Sequence, residues 1–99
     1  MNISQRSYAG TLESSDLLVE VTPCSSGHLE IDITSSVEKQ FEPLIRRVVK
    51  TTLEEMGVTS AIVVVNDKGA LDCVIRARVQ AAVMRGAGIG SEDIIWGAV

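Results

Sequence analysis

The sequence predicts an α+β domain in which a small mixed β-sheet carries two helices on one face. Residues 17–22 and 29–34 alternate between apolar and polar side chains, which is typical of half-buried strands. Two longer stretches, which precede Gly57 and Gly86, repeat apolar residues every three or four positions, as amphipathic helices do. The predicted order is β-β-β-α-β-α. Because the last strand follows a helix, we expect it to run parallel to the strand before that helix by a right-handed crossover.

The strands are predicted by alternation and by β-branched composition. Residues 8–12 form a short first strand, and residues 17–22 form a second strand with its odd-numbered positions on one face. The stretch "HLEIDIT", residues 28–34, alternates in the same way and carries its carboxylates on the solvent face. The run "SAIVVVN", residues 60–66, is continuously apolar, so we expect a central strand that is buried on both faces.

The helices are predicted from their end signals and their periodicity. Ser35 followed by Glu38 matches a capping box, which would start the first helix, and Gly57 would end it. Pro43 would then lie inside that helix, where a missing hydrogen bond costs ~3 kcal/mol, so we expect either a bend there or a helix whose first turns are loose. A second helix is expected from Leu71 to Gly86.

Composition restricts the class of protein. Hydrophobic residues make up 45% of the 99 residues but aromatics only 3%, so the core of this single domain must be aliphatic. A net charge of −4 disfavours nucleic-acid binding. No apolar run is long enough to span a membrane, and the first ten residues lack the apolar core of a secretory signal. Two isolated cysteines favour a cytoplasmic protein with reduced thiols.

A pair of serines, Ser14 and Ser15, lies between two carboxylates in the stretch "GTLESSDLLVEV". The first interpretation is a hairpin turn, because Ser and Asp side chains bond the local backbone. A hydrolase nucleophile is disfavoured, since the sequence lacks a G-x-S-x-G elbow and its one histidine, His28, has no fixed spacing to Ser14. A third interpretation is an exposed serine that another enzyme modifies, since that enzyme would supply the base.

The remaining reactive residues predict no catalytic or metal site. Cys24 and His28 offer two ligands, too few for zinc, and a turn is the better interpretation. Cys73 falls where the second helix begins, and we expect it to be a buried structural cysteine.

A basic stretch stands out in this acidic chain. Its members are Lys68, Arg76, Arg78 and Arg85. They form either a solvated helix face or a docking patch for an acidic or phosphate-bearing partner. From the residues alone, a binding or carrier module is favoured over an enzyme.

Three stretches together closely resemble the acyl carrier subunit, or gamma chain, of bacterial citrate lyase. They are "AGTLESSD" at residues 9–16, "SSVEKQF" at residues 35–41 and "VVVNDKGALDCVIRARVQAA" at residues 63–82. The resemblance covers about residues 8–86, the expected core of one acyl-carrier domain at residues 1–99. Residues 87–99 would be a C-terminal extension of that core.

The resemblance implies a carrier without catalytic residues of its own. In the family, the first serine of the ESSD motif, here Ser14, carries a covalent phosphoribosyl dephospho-coenzyme A, which a dedicated prosthetic-group transferase attaches. The thiol of that group bears acetyl and citryl groups while the alpha and beta subunits cleave citrate to acetate and oxaloacetate. Thr11, Glu13, Ser15 and Asp16 are then candidates for recognition by the transferase.

Two alternatives remain open. The carrier subunit of malonate decarboxylase uses a similar arm, although its serine motif is less like ESSD. The other alternative is an unmodified protein-interaction domain.

Overall fold

The computed structural model describes residues 2–35 and 41–88. Within them the chain forms four strands and two helices in the predicted order. They are β1 (Ser7–Gly10), β2 (Leu17–Thr22), β3 (Leu29–Ser35), α1 (Glu42–Glu55), β4 (Ala61–Asp67) and α2 (Asp72–Gly86).

The sheet is mixed and has the strand order β1-β2-β4-β3. β1 pairs antiparallel with β2, and β2 pairs antiparallel with β4. β4 pairs parallel with β3, as a strand that returns after α1 must if it lies beside the strand before that helix. The predicted α+β class and the parallel return of the last strand are confirmed.

Both helices cover the same face of the sheet. α2 packs on β1 and β2, α1 packs on β3, and the two helices contact each other. The alternating residues of β2 and β4 that point to this face are fully buried with the inner stripes of the helices. They include Leu17, Val19, Val21, Val63, Val65, Val49, Leu53, Val79 and Val83. Burial of each such side chain stabilises the fold by about 1.5–3 kcal/mol, so an aliphatic core can stabilise it without large aromatic residues.

The other face of the sheet is open, which corrects the prediction that β4 is buried on both faces. Val64 is 37% exposed, and its neighbours Ile62 and Asn66 are half-buried. β4 has parallel pairing on one side only, so helices are not required on both faces.

The first helix starts later than predicted. Ser35 is the last residue of β3, and its hydroxyl donates to Asp67 Oδ2 at 3.0 Å, so it does not cap α1. Glu38 lies outside the described residues. α1 begins at Glu42 and places Pro43 in its first turn, where a proline N–H would have no partner in any case. The prediction that Pro43 lies in the helix interior is therefore wrong, and with it the reason to expect a bend or loose first turns.

No helix within residues 2–35 and 41–88 has the length and apolar character that crossing a membrane requires. Only Ala87 and Gly88 of the predicted C-terminal extension are described, so the division of the domain at residue 87 stays a prediction.

Candidate functional site

The predicted serine turn connects β1 to β2. The Asp16 N–H donates to the Glu13 carbonyl at 3.2 Å, which closes a four-residue turn with Ser14 and Ser15 at its centre. Both serines are exposed. Ser15 has φ +65°, the only positive φ of a non-glycine residue in the described chain. The backbone therefore reverses sharply just after Ser14 and presents its hydroxyl to solvent.

Two backbone hydrogen bonds fix this turn to the loop after β4. The Ser15 N–H donates to the Lys68 carbonyl at 2.9 Å, and the Lys68 N–H donates to the Asp16 carbonyl at 2.9 Å. These bonds extend the β2–β4 ladder, whose last pair is Leu17 with Asp67. As a result, the turn is hydrogen-bonded to the end of the sheet.

The Asp16 carboxylate holds the turn from the side of helix α2. Arg78 Nε donates to Asp16 Oδ1 at 3.1 Å, and Arg78 Nη2 donates to Oδ2 at 3.0 Å. Thr11 Oγ1 also donates to Asp16 Oδ2, at 2.8 Å. The Arg78 hydrogen bond is the main cause that lowers the pKa of Asp16 below its ordinary value, because it stabilises the ionised form.

A close backbone approach makes the turn narrow. The Thr11 N–H donates to the Leu17 carbonyl at 3.2 Å, directly across the base of the turn. Gly10 precedes it with φ +97°, and a Cβ at this position would lie 1.8 Å from the Leu17 oxygen. Only glycine fits both the conformation and the space.

The β4–α2 loop that receives the turn is itself fixed by a buried carboxylate. Asp67 is 1% exposed. Its Oδ1 accepts from the Ala70 N–H at 3.0 Å, and its Oδ2 accepts from the Gly69 N–H at 3.1 Å as well as from Ser35. Lys68 lies within this loop, so Asp67 holds the carbonyl that Ser15 binds.

The predicted site residues thus divide into two groups. Thr11 and Asp16 hydrogen-bond inside the turn, whereas Ser14, Ser15 and Glu13 expose their side chains. The roles of all five in attachment and recognition stay predictions.

Sequence reasoning missed three residues that hold the turn, namely Asp67, Lys68 and Arg78. The stretch "NDKG" could have indicated the role of Asp67, because an Asp side chain in a turn commonly hydrogen-bonds the backbone two residues on. Nothing local to Arg78 indicated its contact with Asp16.

No base within the described residues contacts the Ser14 hydroxyl. None of the hydrogen bonds within the described chain involves it, and His28 lies beside the start of β4, at the opposite end of the sheet from Ser14. This arrangement does not support a hydrolase. It leaves an exposed hydroxyl on a fixed turn, which a separate enzyme can modify.

The Cys24 and His28 pair forms a polar turn. Cys24 Sγ lies 2.8 Å from Ser26 Oγ, Ser26 Oγ lies 2.8 Å from His28 Nδ1, and His28 Nε2 lies 3.0 Å from Glu30 Oε1. No group of three or more potential metal ligands exists within the described residues. Hydrogen bonding from Ser26 lowers the pKa of the Cys24 thiol, and the Glu30 carboxylate raises the pKa of His28.

Cys73 is exposed, so the prediction of a buried structural cysteine is wrong. It occupies the first turn of α2 on the side away from the core.

The arginines of the basic stretch are engaged within the chain. Arg76 pairs with Glu55, Arg78 with Asp16, and Arg85 Nη1 donates to the Tyr8 carbonyl at 2.6 Å. These contacts favour the solvated helix face over a free anion-binding patch.

Comparison with known proteins gives consistent relatives. Residues 4–86 match the acyl carrier family described as "Malonate decarboxylase delta subunit (MdcD)". The citrate lyase acyl carrier protein of Vibrio cholerae is 53% identical over 96 residues, which is 97% of this chain and 96% of that protein. The Escherichia fergusonii protein of the same name is 50% identical over 99 residues, the full length of both chains. That of Cronobacter sakazakii is 58% identical over 85 residues, 86% of this chain and 87% of that protein.

Among solved structures, a chain of a Pseudomonas malonate decarboxylase hetero-tetramer in complex with malonate has a TM-score of 0.64 and 24% identity. The match covers 86% of this chain and 91% of that chain, and at this identity it shows a shared fold. Identities of 50% and more over nearly the whole chain go further, and with the exposed serine turn in place they support one conclusion. The chain belongs to the citrate lyase acyl carrier protein family.

Proposed function

We propose that this protein is the acyl carrier subunit of a citrate lyase complex and that Ser14 carries a covalent phosphoribosyl dephospho-coenzyme A. The observation that carries the proposal is the Ser14 turn: an exposed hydroxyl on a backbone that is fixed by Lys68 and by the Asp16–Arg78 pair. The relatives' names support the carrier role.

The residues at the turn fit a group that is joined by a phosphodiester. A serine hydroxyl can form that bond, and Ser14 is accessible to a transferase that brings its own base. When bound, the group supplies a terminal thiol for acetyl and citryl thioesters. The chain itself does no bond-breaking chemistry in this proposal.

The contribution of the protein is position. The Asp16–Arg78 pair and the Lys68 backbone fix the position of the turn to which the group would be attached. Tethering makes each encounter with a catalytic site intramolecular, and for a short flexible link the effective concentration reaches the millimolar range. A fixed attachment point limits the volume within which the thiol can move.

The partners in this proposal are the alpha and beta subunits of citrate lyase, which would cleave citrate to acetate and oxaloacetate, and the prosthetic-group transferase. Neither nucleic acid nor a membrane is among them. A cytoplasmic location stays a prediction.

The carrier subunit of malonate decarboxylase is the second candidate. The family description names that enzyme, and this is the specific observation in its favour. A pull-down from cells that contain both enzyme systems separates the two, since recovery of citrate lyase catalytic subunits supports the first proposal and recovery of malonate decarboxylase subunits overturns it.

Intact mass tests the attachment site. The chain is co-expressed with the enzymes that make and transfer the group, and the wild-type protein should gain many hundreds of daltons. Ser14→Ala should abolish the gain, whereas Ser15→Ala should retain it. A mass gain that persists in Ser14→Ala would move the site to another residue, and an unmodified wild-type protein would favour the interaction domain.

A further inference from the structure

Exposed apolar side chains concentrate at the end of the sheet that carries Ser14. Six large hydrophobic residues are exposed in the described chain, and two of them, Tyr8 and Val64, lie on the open sheet face on either side of Glu20 of β2. The other four lie where β1, β3 and β4 end and both helices begin. We call these four the apolar rim: Leu12 (55% exposed), Phe41 (44%), Leu44 (50%) and Leu71 (70%).

A groove lies within this rim, between the N-terminal turns of the two helices. Phe41, which directly precedes α1, and Leu44 of α1 line one side of it. Ile75 lines it from α2, and Ala70 lines it from the loop before α2. Its volume is about 210 Å³. Sites that enclose a whole small molecule occupy roughly 300–1,000 Å³, so this groove suits one or two side chains of a protein partner.

The groove and the Ser14 turn share one loop. The Lys68 carbonyl binds the Ser15 N–H, and the next two residues, Gly69 and Ala70, line the groove. Leu71 follows directly in the chain and is exposed. Because Asp67 fixes this loop, the groove keeps a constant position relative to Ser14.

The exposed charge beside the Ser14 turn is the Glu13 carboxylate. Of the cations near this turn, Arg78 is engaged by Asp16, and Lys68 is half-buried. Asp72, in the first turn of α2, also lines a second groove with Arg47 and Arg76, so its charge is offset locally. A partner with apolar side chains for the groove and a basic side chain for Glu13 is therefore complementary to this surface.

We propose that the apolar rim is the docking surface for the enzyme that modifies Ser14. The inference rests on the proposed function. An enzyme that acts on Ser14 must cover its turn, and a specific interface buries about 800 Å² on each partner, far more than one turn offers. The contact must extend to neighbouring surface, and the rim is the neighbouring surface that is apolar. The partner places an apolar side chain in the groove and a basic side chain near Glu13.

The test measures docking separately from attachment. All proteins carry Ser14→Ala, so no modification can occur, and their Kd for the purified prosthetic-group transferase is measured by titration calorimetry. Adding Leu44→Gln and Leu71→Gln should weaken binding at least ~10-fold, because apolar anchors near the centre of an interface dominate affinity. The matched control is Val64→Gln, which places the same polar side chain on the open sheet face and should leave Kd unchanged.

Steady-state kinetics on proteins with Ser14 intact should agree. The double rim variant should raise the KM of the transferase for the carrier at least ~10-fold and leave kcat within about 2-fold, since it alters docking and not the reacting hydroxyl. Urea unfolding of each variant checks that the fold is retained. Raised salt should weaken binding of the parent protein, because it screens the contact between Glu13 and a basic side chain.

Three outcomes would overturn the proposal: equal Kd values for the rim variant and its parent, an equal loss in Val64→Gln, or no binding of the transferase to the Ser14→Ala parent. A carrier dimer that the rim substitutions dissociate would also overturn it, by assigning the rim to a second copy. Failure of the proposed function is distinct, because it appears as a wild-type protein that gains no mass.

Discussion

Asp16 and Arg78, which lie 62 positions apart in sequence, meet in a two-point ion pair between the β1–β2 turn and helix α2. The arginine side chain is 40% exposed and the carboxylate only 15%, so the contact is partly shielded from water. It links the residue two positions after Ser14 to the middle of a helix that also packs on β1 and β2. The orientation of the serine turn is thereby set by the core of the fold.

Asp16→Asn should destabilise the protein at neutral pH by less than about 1 kcal/mol, because Arg78 is substantially exposed. The native pKa of Asp16 lies below that of the unfolded chain, mainly because of the Arg78 hydrogen bond. Its contribution is present above the unfolded value of about 3.9 and is lost as pH falls through the lower native pKa. Urea unfolding at about pH 7 and about pH 3 should therefore show a stability difference between wild type and variant that shrinks in acid.

Glu13→Gln is the control for that experiment, since Glu13 is a carboxylate of the same turn that makes no ion pair within residues 2–35 and 41–88. It should change stability little at either pH. A difference for Asp16→Asn that is equal at both pH values would show that the ion pair does not contribute.

The left-handed conformation of Ser15 predicts a rank order of substitutions. Ser15→Val should cost at least about 1–2 kcal/mol, because a β-branched side chain clashes with the backbone at φ +65°. Ser15→Gly should stay within about 1 kcal/mol of wild type, since glycine adopts this conformation without strain. Thermal unfolding measures both, and a valine variant as stable as the glycine variant would contradict the observed turn.

Gly10 and Gly27 both have positive φ, but their surroundings differ. Gly27→Ala meets nothing within 4 Å and should cost only the conformational strain, about 1–2 kcal/mol. Gly10→Ala would bring its Cβ to 1.8 Å from the Leu17 oxygen, so the backbone must move and the cost should be at least about twice as large. Equal unfolding midpoints in urea for the two variants would contradict this close approach.

Asp67→Ala should reduce the free energy of unfolding by about 2–4 kcal/mol, because it removes the acceptor for the Gly69 and Ala70 N–H groups from a buried site. Asp32→Ala is the matched control on an exposed position of β3 and should stay within about 0.5 kcal/mol of wild type. Hydrogen exchange of the Gly69 and Ala70 amides should accelerate in the first variant only. Unchanged protection there would show that Asp67 does not hold the loop.

The Cys24 turn predicts a measurable thiol titration. In a Cys73→Ser background, Ser26→Ala should raise the apparent pKa at which Cys24 reacts with a disulfide reagent, because the Ser26 hydrogen bond favours the thiolate. Ser25→Ala, an exposed neighbour, should leave the titration unchanged. Identical pH–rate curves for the two variants would show that the Ser26 contact does not form in solution.

The sequence was most informative where one local rule acts alone. Alternation placed the inward residues of β2, because a register error of one residue would expose the whole set. It could not show that Val64 is exposed, since a continuous β-branched run lacks a period to mark its open face. The start of α1 was predicted too early, because the spacing of Ser35 and Glu38 matches a capping box. Proline is most favourable in a first helical turn, which is where Pro43 lies.

For the serine turn, too, local features were predictable from the sequence and distant contacts were not. The turn around Ser14 and its exposure were predictable from serine and aspartate at a break in alternation. The contacts that orient it were not, because Lys68 and Arg78 reach it from distant parts of the chain and leave no local signature. The tertiary fold therefore supplied what the motif lacked.

The serine turn is completed by groups that the ribosome adds later. The Lys68 carbonyl and the Arg78 guanidinium are both synthesised after the turn they hold. A nascent or truncated chain without α2 has the Ser14 motif but not the geometry that presents it. Any enzyme that recognises the oriented turn, and not merely its sequence, will act only once α2 has packed and so distinguish folded carriers from fragments.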